Sequence, residues 1–236
     1  TDRDSVTVMA GMDRYLDLII PRGGKGLIET VVSLARMPVI KHYDGICHAY
    51  IHSDADLEMA VKIVVDSKTQ KPSVCNALET LLVDEAIASE FLPRVAAALT
   101  ERNVELRGDE ATCAIIDAKV ATEEDWRTEY LDYILAVKVV SSMDASIDHI
   151  NKYSSQHTEV IVTQNEAIAE AFLCRIDSAC VFHNVSTRYS DGEEFGFGAE
   201  IGISTDKLHA RGPMGLRELT SYQYRVRGEG QLKGSV

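Results

Sequence analysis

Short apolar runs alternate with amphipathic segments along most of this chain, and this alternation constrains the fold more than any other feature. The apolar runs, several of them rich in Val and Ile, predict buried strands. Between them, apolar residues recur at helical spacing and predict helices. Such alternation indicates an α/β fold with a largely parallel or mixed sheet. We predict strands at 16–20, 38–40, 46–51, 104–106, 133–140, 157–162 and 178–183, and helices at 27–35, 57–65, 85–102, 145–153 and 165–174. The apolar run 78–83 predicts a regular element, either a helix or a strand.

Several stretches depart from the regular alternation. Pro93 falls inside the predicted helix 85–102 and predicts a kink or a later start. Residues 109–128 are acidic and fit neither periodicity. Residues 184–215 are rich in Gly, Ser and Arg, and a long irregular segment of this kind is usually functional or disordered. Residues 219–226 alternate in character and predict a terminal strand, whose edge would invite pairing with another chain.

The charge balance narrows the classes of partner. The chain has 24 basic and 37 acidic residues, a net charge of −13 at pH 7, which argues against a general nucleic-acid or anionic-membrane binder. The five cysteines are an odd number without a CxxC pair, which is typical of reduced thiols in a cytosolic protein. The first residue is Thr1 rather than Met, so we expect a fragment of a longer protein or an isolated domain.

Cys75 is the strongest candidate for a reactive side chain. It follows Pro72 in a predicted turn and precedes the apolar run 78–83. Lys68 and Lys71 are close in sequence, and nearby cations lower the pKa of a thiol. The alternative is a structural thiol, which is the commoner role of a free cysteine. A Cys–His hydrolase would also need an imidazole beside Cys75, and the sequence cannot say which histidine lies there; the candidates are His42, His48, His157, His183 and His209.

Two further segments are candidates for binding anions. The turn 21–26, Pro-Arg-Gly-Gly-Lys-Gly, leads from a predicted strand into a predicted helix, where backbone N–H groups attract phosphate. It lacks the spacing of a P-loop, and its glycines are equally consistent with a tight turn alone. Arg188 lies among Ser, Thr and Tyr residues and is either a carboxylate or phosphate ligand or a solvated surface residue. The spacing of the histidines matches no strong metal-ligand pattern, so we expect no metal.

Several longer motifs together resemble one enzyme family. They are DLIIPRGGKGLIE, PVIKHYDGICHAYI, KPSVCNALETLLV, TEYLDYILAVKVV, HNVSTRYSDGEEFGFGAEIGISTDKLHARGPMGL and LTSYQYRV. In these motifs the chain is similar to the gamma-glutamyl phosphate reductases, or glutamate-5-semialdehyde dehydrogenases, of the aldehyde dehydrogenase superfamily. The resemblance implies a cytoplasmic enzyme of proline biosynthesis that reduces gamma-glutamyl phosphate with NADPH. It also implies an aldehyde dehydrogenase-like fold and a homo-oligomer joined by the terminal strand, with neither nucleic acid nor membrane as a partner.

The resemblance also implies roles for individual residues. Cys75 matches the superfamily nucleophile, which attacks the acyl phosphate to form a thioester. The cofactor-binding candidates are a cationic glycine turn and a glutamate that matches the ligand of the nicotinamide ribose: Arg22, Gly23, Gly24, Lys25 and Glu129. The substrate-binding candidates are the residue after the nucleophile and the superfamily's substrate loop: Asn76, Ser186, Thr187 and Arg188.

The resemblance divides the chain and leaves alternatives open. It implies that residues 1–40 end a Rossmann-type cofactor-binding domain, that 41–212 form the catalytic domain, and that 213–236 form an oligomerisation strand and tail. Superfamily members that hydrolyse a thioester carry a general-base Glu in a Glu-Leu-Gly-Gly motif, whereas this chain has His42-Tyr43-Asp44-Gly45 there. A reductase of an acyl phosphate needs no such base. The alternatives are a non-catalytic fragment or assembly domain, and another Cys-dependent acyl reductase acting on acyl-CoA.

Overall fold

A central sheet of seven parallel strands organises the protein. The computed structural model describes residues 3–234. The strands of this sheet are β1 Cys47–Ile51, β2 Leu78–Asp84, β3 Glu105–Gly108, β4 Lys119–Val120, β5 Ile134–Val140, β6 Thr158–Val162 and β7 Cys180–His183. Their order across the sheet is β4-β3-β5-β2-β1-β6-β7, and every neighbouring pair is parallel. The predicted α/β fold is confirmed.

Helices cover both faces of the sheet. The helices are α1 Arg3–Ala10, α2 Lys25–Leu34, α3 Leu57–Thr69, α4 Glu85–Thr100, α5 Glu110–Cys113, α6 Met143–Tyr153 and α7 Glu166–Arg175. One face of the sheet is covered by α3 and α4 and the other by α6 and α7. Five helices begin at side-chain caps, which accept backbone N–H groups of the first turn and are Asp56, Asp84, Asp109, Ser142 and Asn165. None of the helices in residues 3–234 is long and apolar enough to span a bilayer.

The core has two layers because successive residues of a strand point to opposite faces. Leu81 and Val83 of β2 pack with α3 and α4, whereas Leu82 between them packs with α6 and α7. Large apolar side chains fill both layers, including Phe91 of α4 and Phe172 of α7, neither of which is exposed. The resulting three-layer sandwich fixes the ends of the central strands, where the candidate site lies.

The first two predicted strands are nearly absent. Residues 16–20 and 38–40 meet in a single parallel bridge between Ile19 and Val39, with α2 between them in sequence. The predicted β-α-β connection is therefore present in outline. The two runs exchange only the hydrogen bonds from Ile19 N to the Pro38 carbonyl and from Ile40 N to the Ile19 carbonyl, at 3.0 and 2.9 Å, which is too few for a ladder.

Other differences concern the irregular stretches. Helix α4 begins at Glu85 and includes Pro93, so the predicted late start is wrong; buried neighbours on both sides of Pro93 stabilise the helix despite the lost hydrogen bond. Residues 109–128 contain α5, β4 and a 3₁₀ turn at Asp125–Arg127. Residues 184–215 contain a 3₁₀ turn, Thr187–Tyr189, and an antiparallel pair, β8 Gly202–Ser204 with β9 Gly212–Met214.

The predicted terminal strand does not form in this chain. Residues 219–226 are assigned to no strand, and their Leu, Tyr and Val side chains are exposed. A strand exists only when its backbone groups pair with a neighbour. Within the described residues no segment pairs with this one, so its alternating pattern alone produces no strand.

Candidate functional site

The candidate site lies at the amino ends of four neighbouring strands. Cys75 comes shortly before β2, Gly45 shortly before β1, Glu129 before β5 and His157 immediately before β6. These strands are adjacent in the sheet, in the order β5-β2-β1-β6, and parallel strands have their amino ends at one edge. Residues far apart in sequence therefore converge. Open α/β sheets more often bind ligands at the carboxyl ends of the strands.

A cleft of about 310 Å³ opens at this edge. Its walls include the first part of the glycine turn, the segment before β1, the turn at Cys75 and the start of β8. The predicted cofactor residues Arg22 and Gly23 therefore face the same cleft as the predicted nucleophile Cys75. The prediction that Cys75 lies in a turn leading into a regular element is confirmed, and the element is a strand.

The backbone at Cys75 is held by close contacts. A Cβ at Gly45 would lie 2.0 Å from the Cys75 carbonyl oxygen, so only glycine fits at position 45. Gly45 also donates its N–H to Glu129 Oε1 at 2.8 Å, which links the predicted ribose ligand to the nucleophile turn. On the other side, the Cys47 thiol donates to the Cys75 carbonyl at 3.2 Å. The orientation of Cys75 is thus set by β1 as well as by its own turn.

The electrostatic environment of Cys75 differs from the expectation. Burial raises the pKa of the Cys75 thiol to about 11, and the carboxylates of Glu129 and Glu200 add to the rise, while Arg22 opposes it. The expectation that Lys68 and Lys71 lower this pKa is wrong. Lys68 is fully buried and its ammonium group lies 2.7 Å from a carboxylate oxygen of Glu79, whose charge balances it. Lys71 is exposed.

The remaining turn residues lie at the start of α2. Gly24 is the N-cap residue, and no side chain caps the first turn. A Cβ at Gly24 would meet nothing within 4 Å, so the space beside this residue is open. Lys25 points to Asp44, with 2.7 Å between its ammonium nitrogen and the carboxylate oxygen. The pKa of Lys25 is raised, chiefly by its hydrogen bond to Asp44 and then by the charges of Asp44, Glu29 and Glu129.

The four predicted substrate residues lie together behind the nucleophile turn. The amide of Asn76 is buried; its Nδ2 donates to the Ser190 carbonyl at 2.9 Å, and its Oδ1 accepts from Arg188 Nη1. Arg188 also donates to Gln70 Oε1 at 2.8 Å. Thr187 is buried, and its backbone N–H donates a hydrogen bond to Ser67 Oγ. Ser186 Oγ lies 3.0 Å from Ser67 Oγ.

This second group borders its own cleft. Ser186 and Arg188 line a separate space of about 310 Å³ together with Gln70, Tyr189 and several carboxylates. In the described part of the chain, no carboxylate lies within 4 Å of the Arg188 guanidinium, which contacts only neutral amides. Its positive charge is therefore available to an anionic group. Asn76 links Arg188 to the Cys75 turn, because its Oδ1 accepts from Arg188 Nη1 and it follows Cys75 directly in the chain.

Two of the five histidine candidates lie near Cys75. A ring nitrogen of His42, a ring nitrogen of His157 and Cys75 Sγ all lie within 4.8 Å of one another. Among residues 3–234, however, no imidazole makes a hydrogen bond to Cys75 Sγ. A preformed Cys–His pair is therefore absent from this part of the chain. His48 instead contacts the Glu159 carboxylate inside the core, and neither residue lines the cleft.

Sequence reasoning missed two residues of the site and one relationship between residues. Gly45 appeared only as part of a polar turn, and Glu200 had no recognisable pattern. The proximity of His42 and His157 depends on the adjacency of β1 and β6, which the chain order does not give. The one usable signal was positional, since His42, Cys75 and His157 each come shortly before an apolar run.

Comparison with known proteins gives the chain's relatives. No protein-family model matches it. It is 54% identical over 231 residues to the gamma-glutamyl phosphate reductase of Nautilia profundicola, covering 98% of this chain and 56% of that protein. It is 56% identical over 234 residues to the enzyme of the same name from Moorella thermoacetica, covering 99% and 56%. The chain spans about half the length of the curated relatives it matches.

Solved structures agree with these relatives. The chain matches the crystal structure of gamma-glutamyl phosphate reductase from Thermotoga maritima with a TM-score of 0.96 and 51% identity, over 99% of this chain and 56% of that one. An acetylating aldehyde dehydrogenase from Geobacillus thermoglucosidasius matches with a TM-score of 0.67 and 19% identity, over 97% and 61%, and shares the fold. Over almost its whole length the chain is therefore similar to the gamma-glutamyl phosphate reductases, of which it matches about half.

Proposed function

We propose that the protein containing this chain reduces gamma-glutamyl phosphate to glutamate 5-semialdehyde and phosphate with NADPH, as a step of proline biosynthesis. The observation that carries this proposal is that Cys75 lines the same cleft as the start of the cationic glycine turn. The chain is also 54–57% identical to proteins named gamma-glutamyl phosphate reductase. We also propose a cytoplasmic location. The five cysteines, all free thiols in the structure, support it.

The chemistry divides into a transfer and a reduction. The Cys75 sulfur, as thiolate, attacks the acyl carbon, and the bond from that carbon to the phosphate oxygen breaks, so that phosphate leaves and a thioester remains. NADPH, when bound, supplies the hydride that reduces the thioester carbonyl. Collapse of the thiohemiacetal breaks the carbon–sulfur bond, releases the aldehyde and restores the thiolate. The N–H of Cys75 is proposed to hold the oxyanion in both halves.

The glycine turn fits a cofactor phosphate in two respects. The first turn of α2 lacks a side-chain cap. Its Leu27 N–H bonds to the Gly24 carbonyl at 3.0 Å, whereas among the described residues the N–H groups of Lys25 and Gly26 have no acceptor and can bind an anion. Arg22 adds a positive charge on the cleft wall. We therefore assign Arg22, Gly23, Gly24 and Lys25 to cofactor binding, with Lys25 oriented by Asp44. Glu129, half-buried beside Gly45, is proposed to bind the nicotinamide ribose.

For the glutamyl group we propose the loop behind Cys75. Arg188 has a guanidinium without a carboxylate partner among residues 3–234, which suits the substrate's α-carboxylate. Ser186 adds a hydroxyl at the same cleft. Asn76 and Thr187 are buried and already hydrogen-bonded, so their proposed contribution is to hold the loop against the nucleophile turn.

We propose the domain division 1–40, 41–212 and 213–236 and a homo-oligomer formed through the terminal segment. The β-α-β outline around α2 supports the first boundary, since the bridge between Ile19 and Val39 is separate from the main sheet. The exposed apolar side chains of 219–226 support a role for that segment in pairing with a partner strand.

The test is the reverse reaction. Semialdehyde-dependent reduction of NADP⁺ in phosphate buffer is followed in a protein that carries this segment at the full length of its relatives. We expect Cys75→Ser to abolish the activity and Cys174→Ser, at an exposed thiol, to leave it unchanged. Full activity in Cys75→Ser would overturn the proposal. Turnover of acyl-CoA in preference to acyl phosphate would assign the chain to the other class of reductase.

A further inference from the structure

We propose that His42, Cys75 and His157 form a Zn²⁺ site that reversibly blocks the nucleophile. The three residues come from separate segments, before β1, before β2 and before β6, and the sheet brings them together. One donor atom from each lies within 4.8 Å of the other two. Two imidazole nitrogens and a thiolate are donors that Zn²⁺ prefers.

The hydrogen bond of His42 leaves one ring nitrogen free to bind a metal. His42 Nδ1 lies 2.9 Å from the Ile203 carbonyl oxygen, which can only accept, so Nδ1 carries the proton. The lone pair of the neutral ring is then on Nε2. A backbone carbonyl that orients the second ring nitrogen is a common partner of zinc-bound histidines.

His157 gives an independent indication of a ligand. Its side chain is not exposed at all, and its Nε2 has no hydrogen-bond partner in the structure. Nδ1, by contrast, contacts Thr158 Oγ1 at 2.8 Å. An unpartnered buried nitrogen is costly, because it has lost its hydrogen bond to water without replacement. A metal ion between the two rings would satisfy it.

Distance, access and charge agree with this site. Zn–N bonds of about 2.0–2.1 Å and a Zn–S bond of about 2.3 Å place tetrahedral ligand atoms roughly 3.3–3.7 Å apart. The three donors therefore need to approach by little more than about 1 Å, within the range of side-chain rotation. His42 and Cys75 line the cleft, which gives an ion a path from solvent. The carboxylates of Glu129 and Glu200 act on Cys75 and attract a dication, partly offset by Arg22.

The coordination step is balanced by one proton. The Cys75 S–H bond breaks, the proton leaves to buffer, and a sulfur–zinc bond forms without oxidation or reduction. With three protein ligands the fourth position is open to water or to a phosphate oxygen. Coordination withdraws electron density from the sulfur and lowers its reactivity towards an acyl carbon, so in the proposed reductase Zn²⁺ inhibits and a chelator restores activity. Only this consequence rests on the proposed function.

The experiment measures binding directly on this chain. Zn²⁺ affinity and stoichiometry are obtained by competition with a chromophoric chelator, for the unchanged chain and for Cys75→Ser, His42→Gln and His157→Gln. We expect one ion per chain. Each variant should bind Zn²⁺ at least roughly tenfold more weakly, because loss of a residue that only supports a metal ligand already costs about that much affinity. His209→Gln, at an exposed histidine, is the matched control and should bind as the unchanged chain does.

A second readout separates binding at the site from binding elsewhere. Iodoacetamide labelling of the Cys75 peptide, followed by mass spectrometry, should slow when Zn²⁺ is added, whereas labelling of exposed Cys174 should not. Circular dichroism identifies any variant that fails to fold, and His42→Gln at the cleft wall still decides the result if buried His157→Gln is lost. The proposal is overturned if Zn²⁺ does not bind, or if Cys75→Ser and His42→Gln both bind it as tightly as the unchanged chain does. It is also overturned if bound Zn²⁺ leaves the rate of Cys75 labelling unchanged. None of these measurements needs NADPH turnover, so they stand or fall separately from the proposed function.

Discussion

Gly45 and Cys75 are packed so closely that a Cβ on Gly45 would lie 2.0 Å from the Cys75 carbonyl oxygen and 2.5 Å from its Cα. The atoms in the way belong to the backbone, which cannot turn aside as a flexible side chain can. The segment before β1 and the turn before β2 are therefore in register only if position 45 has no side chain. This contact ties the position of the nucleophile to the central strands.

We predict that Gly45→Ala displaces the Cys75 turn and lowers the free energy of unfolding by about 2 kcal/mol or more, in the upper range of overpacking changes. Urea unfolding and the rate of Cys75 labelling measure the two effects. The control is Gly26→Ala in the first turn of α2, where a Cβ meets nothing within 4 Å and the free energy of unfolding should be unchanged or rise by up to about 1 kcal/mol. Equal stability of the two variants would contradict the packing argument.

The buried ion pair between Lys68 and Glu79 gives a second prediction. Burial lowers the pKa of Lys68 and raises that of Glu79, and in each case the partner's charge opposes the change. Each charge is thus tolerated only because the other is 2.7 Å away. Lys68→Met should cost about 3–5 kcal/mol because it leaves a buried carboxylate unpaired.

A double-mutant cycle tests this coupling. Adding Glu79→Gln to Lys68→Met should recover much of the lost stability, since the amide is neutral and still able to accept from the Leu131 N–H, now 3.2 Å from Glu79 Oε1. Arg94→Met in the exposed pair with Glu90 is the control and should cost no more than about 0.5 kcal/mol. Additive single losses in the cycle would show that the two buried charges act independently.

These two cases show what sequence patterns can and cannot reveal. The alternation of apolar runs and amphipathic segments predicted an α/β fold with a largely parallel or mixed sheet, and Pro72 and the apolar run 78–83 placed Cys75 in a turn before a regular element, because both are local properties of the chain. The pairing of Lys68 with Glu79 is not local in this sense. Because Lys68 is paired with Glu79, it does not lower the pKa of Cys75, as its proximity in the sequence had suggested.

Strand order is the main information that the sequence lacks. The convergence of His42, Cys75 and His157 follows from the placement of β1 between β2 and β6, whereas the chain visits these strands in a different order. The short exposed strand β4 has too few residues for a periodic pattern. The segment 219–226 has the pattern of a strand, but a pattern cannot supply the partner that pairing requires.

Asp125 gives a prediction for pH. Burial favours its neutral acid, but the hydrogen bonds from Arg107, Thr122 and Tyr130 outweigh burial and hold the pKa of this carboxyl well below its usual range. A carboxyl whose pKa is lowered in the folded state adds stability that is complete above the unfolded pKa of about 3.9 and is lost as pH falls towards the folded pKa. Arg107 Nη1 lies 2.8 Å from Asp125 Oδ1.

We therefore expect Asp125→Asn to lower the free energy of unfolding by about 2 kcal/mol at pH 7, as for hydrogen bonds to a charged group. The deficit should shrink below about pH 4, because the unchanged protein then loses the same stabilisation. Denaturant unfolding at pH 7 and pH 3 measures both values. Asp144→Asn, which breaks the exposed pair with Arg175, should cost at most about 1 kcal/mol. A deficit in Asp125→Asn that is constant with pH would rule out the charged carboxylate as its source.

The last prediction concerns Arg188, whose guanidinium bonds to the neutral amides of Asn76 and Gln70 and faces the second cleft. If it binds the substrate's α-carboxylate, Arg188→Met removes a charge-assisted bond worth about 1.5–3 kcal/mol, which corresponds to a rise in KM of roughly tenfold or more. Because the contact is present before and after the chemical step, kcat should change less than KM. Arg188→Lys keeps the charge but not the planar pair of donors and should recover part of the affinity.

The measurement is steady-state reduction of NADP⁺ at varied semialdehyde, in the protein at the full length of its relatives. Arg94→Met, at an exposed arginine on α4, is the matched control and should leave both constants unchanged. Thermal unfolding of Arg188→Met separates a binding role from the structural one, since its bonds to Asn76 and Gln70 also hold the loop behind Cys75. A fall in kcat with KM unchanged would show that Arg188 positions the Cys75 turn through Asn76 rather than binding the carboxylate.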